Sequence, residues 1–129
     1  MLKLTSTIAL VAVLGAGLLA STASAKDGDR AVQKRGTCSA GSTSKLKAKL
    51  DDGRIEAEAE VDQNVVGRRW RVSIVQNGRT VFTGVRTTRG TSGSFEVRRL
   101  LANRAGADRI VFAARSLATG ETCRASLSY

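Results

Sequence analysis

Histidine and proline are absent from all 129 residues, aromatics make up only 4%, and there are two cysteines. Without histidine the chain lacks the usual general base, the usual triad member and the commonest metal ligand. Serines are numerous, yet no G-x-S-x-G elbow frames one. Cys38 and Cys123 supply two soft ligands where zinc takes four. No cofactor and no metal are expected. The scarce aromatics also disfavour nucleic acid, because single strands are held on exposed stacking platforms. Trp70, Phe82, Phe95 and Phe112 fall mostly at strand positions suited to a core.

Long apolar runs are nearly absent too. The one of note is Ile8 to Ala20, preceded by Lys3 and followed by Ala23-Ser24-Ala25. A short basic region, an apolar run and an A-x-A site form the plan of a secretory leader, with cleavage expected after Ala25. The run is shorter than the ~20 residues of a membrane span. No stable membrane insertion is expected. Residues 26–36, KDGDRAVQKRG, read as a flexible polar lead-in, and residues 37–129 as one domain. An exported chain with an even cysteine count favours a Cys38–Cys123 disulfide.

What is present is period-two alternation. In KLKAKLDDGRIEAEAE (45–60), Leu46, Ala48 and Leu50 share one face, and Ile55, Ala57 and Ala59 share one on the return. Asp52-Gly53 suits a type I′ turn, whose two central residues both need positive φ. That turn sets Lys49 opposite Glu56, Lys47 opposite Glu58 and Lys45 opposite Glu60. The ladder is expected to specify pairing and to protect an edge hairpin from further strands. A second hairpin turns at Asn77-Gly78, setting Ile74 opposite Val81, Val72 opposite Thr83 and Trp70 opposite Val85. Strands follow over 94–100, 109–116 and 122–128. Seven short strands with turns between them describe an all-β, antiparallel sandwich.

The leader, the single disulfide, Trp70 early in its strand and the TGETC of 119–123 together resemble small secreted single-domain sandwich proteins of actinobacteria. These are immunoglobulin-like or fibronectin type III-like and mostly of unassigned function. The resemblance implies that the disulfide joins the first and last strands as parallel neighbours. It carries over no active-site residues. The inter-sheet cysteine pair and the tyrosine corner of antibody domains are missing.

Glu56, Glu58 and Glu60 repeat at about 7 Å along one strand face. Each has a lysine opposite and faces water, which holds a carboxylate near or below its normal pKa and suits no general acid. Charge is the remaining signal. The protein carries +10 overall, about +9 once Lys3 has left. After residue 61 twelve arginines stand against Asp62, Glu96, Asp108 and Glu121. Arg69, Arg71, Arg86, Arg98 and Arg115 are the anion-binding candidates, with Arg71, Arg86 and Arg98 expected on one surface. Guanidinium forks suit phosphate, sulfate and carboxylate. The expected function is a secreted, monomeric, non-catalytic module for an anionic polymer or protein at the cell envelope. The alternative is a secreted inhibitor or small-ligand carrier using loops 88–93 and 102–108.

Overall fold

The computed structural model describes residue 17 and residues 30–129. The expected leader, its cleavage after Ala25 and most of the lead-in lie outside the described residues. Among those residues there are nine strands and no helix. They are β1 (Val32–Arg35), β2 (Thr37–Cys38), β3 (Thr43–Asp51), β4 (Arg54–Asp62), β5 (Arg69–Gln76), β6 (Arg79–Thr87), β7 (Ser94–Leu101), β8 (Arg109–Ser116) and β9 (Thr122–Ser128). Two antiparallel sheets result, ordered β1-β3-β4-β7 and β2-β9-β8-β5-β6. The expected seven strands are β3 to β9. The two additional ones are short and polar, so neither shows an apolar alternation. β1 lies inside the segment read as a lead-in.

The first hairpin has the register its sequence implies. Asp52 and Gly53 both take positive φ, 49° and 77°, and Lys45, Lys47 and Lys49 stand opposite Glu60, Glu58 and Glu56. It is not an edge hairpin, however, since β1 and β7 flank it on either side. In the second hairpin the Asn77-Gly78 turn forms, but the register slips between Ile74 and Val75. Val81 is the extra residue, so Phe82 rather than Val81 faces Ile74, and Arg86 rather than Val85 faces Trp70. A bulge of this kind reverses every side chain beyond it. Phe82, Gly84 and Arg86 therefore turn toward the other sheet, while Val81 and Val85 turn to solvent.

The facing sides of the two sheets bury Leu46, Ile55, Val61, Trp70, Ile74, Ile110 and Phe112 completely. Each large apolar side chain so buried is worth ~1.5–3 kcal/mol. The Trp70 indole donates to Gln63 Oε1 at 3.0 Å, which satisfies the one polar atom it takes inside. The disulfide links Cys38 and Cys123, which are directly opposed on β2 and β9. These strands are antiparallel neighbours in one sheet, not parallel ones. Gly36 carries the chain from β1 in one sheet to β2 in the other. A Cβ there would stand 2.5 Å from the Arg124 carbonyl oxygen, so the crossing needs glycine.

Candidate anion-binding face

Alternation along a strand decides which arginines meet. On β5, Trp70, Val72, Ile74 and Gln76 are buried, so Arg69, Arg71, Ser73 and Val75 point outward. On β8 the outward set is Arg109, Val111, Ala113 and Arg115, and on β9 it is Thr122, Arg124, Ser126 and Ser128. Register then aligns them across the sheet. Arg71 is the direct partner of Arg115, and Arg124 is the partner of Ala113, two residues along β8 from Arg115. Directly opposed side chains have Cβ atoms about 5 Å apart. The outward face of the five-stranded sheet thus carries Arg69, Arg71, Arg109, Arg115 and Arg124, and no aspartate or glutamate. Among the described residues no carboxylate oxygen lies within 4.0 Å of any of the five.

Between these guanidinium groups the surface dips. Ser73, Thr83 and Ala113 are small and leave an open groove of about 670 Å³, rimmed by Arg71, Val85, Arg115 and Arg124. That volume lies within the range of small-molecule sites, roughly 300–1,000 Å³. The hydroxyls of Ser73, Thr83 and Thr122 give it neutral hydrogen-bonding groups beside its three cations.

Two of the five candidates stand elsewhere. Arg98 lies on the outward face of the four-stranded sheet, where it is spent on acids: Glu58 at 2.9 Å, Glu56 at 3.4 Å and Glu96 at 3.5 Å. Arg86 points inward at the open edge between β6 and β7. There its guanidinium lies 5.2 Å from the Phe82 ring centre, and Arg99 lies 4.7 Å from the same ring. Gly84 makes room for this ring, since a Cβ there would sit 2.9 Å from Phe82 Cζ. The expected single surface of Arg71, Arg86 and Arg98 is therefore divided three ways. The reason is the Val81 bulge for Arg86 and the separation of β7 from β5 into different sheets for Arg98. Arg124 belongs to the site and was not among the candidates. Its signal lies in the alternation of β9, where Cys123, Ala125 and Leu127 face inward and leave Arg124 outward.

The glutamates on the other sheet also differ from expectation. Lys45 and Glu60 pair at 3.6 Å, while Arg98 takes Glu58 and Glu56 from the opposite side. Glu56 is buried, and a proton shared with Glu58 pushes its carboxyl above the ordinary 4.5, with burial adding to the rise. The same hydrogen bond lowers Glu58, helped by Arg98 and Lys47.

Three of the other buried polar side chains, Glu121, Asp108 and Thr88, are structural fasteners. Glu121 accepts hydrogen bonds from the backbone of Ala40 and Ser42 and from the Ser42 hydroxyl, pinning the β2–β3 loop. It lies near Cys38 and Cys123, but the sulfurs are bonded to each other, so the three make no metal site. In the loop of 102–108, Asp108 is wholly buried and accepts from Gln76 and Asn77. In the loop of 88–93, Thr88 is wholly buried and accepts from the Arg68 amide. No protein family, curated protein or solved structure matches the chain.

Proposed function

We propose that the protein is an exported, non-catalytic binding module that holds an anionic partner at the cell envelope on the outward face of its five-stranded sheet. One observation carries this reading: Arg71 and Arg115 are direct cross-strand partners with no acid near either. Like charges directly opposite each other destabilise a sheet. Arg124 beside them deepens the repulsion, and an anion in the groove would relieve it. Phosphate, sulfate or carboxylate groups fit the guanidinium forks. A directly bonded Cys38–Cys123 pair accords with export. The strand order supports a fibronectin type III-like scaffold. Its three-strand sheet corresponds to β3-β4-β7 and its four-strand sheet to β9-β8-β5-β6, with β1 and β2 added at one edge of each.

The carboxylates support no competing catalytic role in this reading. Glu56 and Glu58 are committed to each other and to Arg98 on a strand face. The loops of the alternative reading are both anchored by buried side chains, Thr88 and Asp108. The test is retention on an immobilised polyanion such as heparin or isolated wall polymer. The wild-type protein should be retained and released by salt. The variant Arg71→Ser/Arg115→Ser/Arg124→Ser should elute near the void at unchanged fold. Equal retention of the two proteins would refute the assignment of this face.

A further inference from the structure

The end of the sandwich next to the arginine face displays apolar residues on rigid loops. Val65 and Val66 in the β4–β5 loop are 42% and 62% exposed, and Leu117 after β8 is 45% exposed. The loop does not leave them outside for want of order. Asn64 and Gly67 on either side of the valine pair both take positive φ, 61° and 84°, which turns the chain outward. The Val65 carbonyl accepts from the Thr88 hydroxyl, the Gly67 amide donates to the Thr88 carbonyl and the Gln63 amide donates to the Gly93 carbonyl. Gly93 has no room for a Cβ against the Val65 backbone, so the two loops are locked together. Leu117 adjoins the same end, its amide bonded to the Arg69 carbonyl. Arg68 and Arg69 follow the valine loop in the chain, and Arg89 lies in the loop locked to it. Arg69 continues along β5 into Arg71 and the groove.

We infer that this end docks on an anionic lipid surface, with Val65 and Val66 entering the headgroup–acyl boundary and the arginines meeting lipid phosphates. The inference rests on the proposed reading of the arginine face and names its partner. A bilayer fits these features better than a protein does. Protein interfaces centre on well-packed aromatic or arginine anchors seated in pockets. Here the apolar groups protrude on a narrow convex loop and carry no aromatic ring. A fluid acyl boundary accepts such a tip, and basic side chains around it lie at headgroup depth. Preset loop geometry means that little conformational freedom is lost on binding. The opposite end differs in its acids: Asp51 and Asp52 stand at one hairpin turn near the exposed Leu100, and the other hairpin turns at Asn77.

The test is co-sedimentation of the full chain with vesicles of equal phosphatidylglycerol and phosphatidylcholine, and with phosphatidylcholine alone, beside retention on heparin. The wild-type protein should sediment with the anionic vesicles only. Val65→Ser/Val66→Ser should lower that partition about tenfold and leave heparin retention unchanged. Leu100→Ser, at an exposed site on the other sheet, should change neither. Thermal melts confirm folding, and Val66→Ser alone replaces the double variant if the latter melts early. Undiminished vesicle binding by the valine variant overturns the inference. So does heparin retention without vesicle binding by the wild-type protein, which leaves the proposed function standing. Failure on both supports by the wild-type protein overturns the two together.

Discussion

The two outward faces of this sandwich handle charge in opposite ways. On the four-stranded sheet Lys45, Lys47, Lys49, Arg35 and Arg98 stand among Glu56, Glu58, Glu60 and Glu96, and cations and anions meet within the face. On the five-stranded sheet Arg69, Arg71, Arg109, Arg115 and Arg124 share a face with no aspartate or glutamate, and Arg71 stands opposite Arg115. The same fold offers both surfaces the same scaffold, so neither pattern is forced by it. A face whose charges cancel has settled its electrostatics internally. A face whose charges repel holds a free-energy deficit that an external anion lowers. The repelling sheet is also the one that contains the disulfide, while the compensated sheet has no covalent tie.

The largest effect should follow from removing that tie. Cys38→Ser/Cys123→Ser should cost about 4–5 kcal/mol, since the closed loop spans 85 positions in sequence. If the repulsion described is real, sodium chloride should recover part of the loss, as screening acts on the exposed arginines. A urea titration at low and high salt measures both. Salt-independence would remove the energetic half of the comparison. Next in size is Arg98→Ala, which leaves Glu56 and Glu58 side by side without their shared cation. A loss of about 1–2 kcal/mol is expected, against a neutral or favourable effect for Arg71→Ala on the other sheet.

Glu56 sharpens the contrast through pH. Its carboxyl is raised in the folded protein, so its contribution is complete below the ordinary 4.5 and is lost as pH rises through the raised value. Glu58 is lowered, so its contribution is present above that range and is lost as pH falls through the lowered value. Glu56→Gln should therefore gain on the wild-type protein in melting temperature as pH rises from below the ordinary 4.5 to neutral. A constant difference across that interval would show that no proton is shared there. The smallest effect is reserved for the one lysine–glutamate contact on the ladder. Exchanging its charges with Lys45→Glu/Glu60→Lys should change stability by less than about 1 kcal/mol, measured by the same melts.

Much of this arrangement was legible because strands alternate strictly. The β3–β4 register followed from Asp52-Gly53 and from lysines and glutamates at every second position. Of the candidate arginines, Arg69, Arg71 and Arg115 stand on one face without the Arg86 and Arg98 expected beside Arg71, and Arg124 joins them by the same alternation. The losses have physical causes. A one-residue bulge at Val81 leaves no mark in a stretch such as TVFTGV, where every residue but glycine favours a strand, yet it turned Arg86 inward. β1 and β2 are too short and too polar to betray a buried face. Sheet membership, which separates Arg98 from Arg71, depends on long-range pairing that no local pattern encodes.

The crossing at Gly36 has a consequence for how the chain acquires its structure. β1 pairs with β3, which follows shortly, but β2 pairs with β9, the last strand of the domain. Cys38 is thus made early and waits for Cys123. Until β9 is in place, one half of this N-terminal clasp has no partner, and β8 lacks its outer neighbour. Closure of long-range pairs is slow compared with local hairpins. The domain should remain pliable through most of its folding and become locked only when β9 pairs.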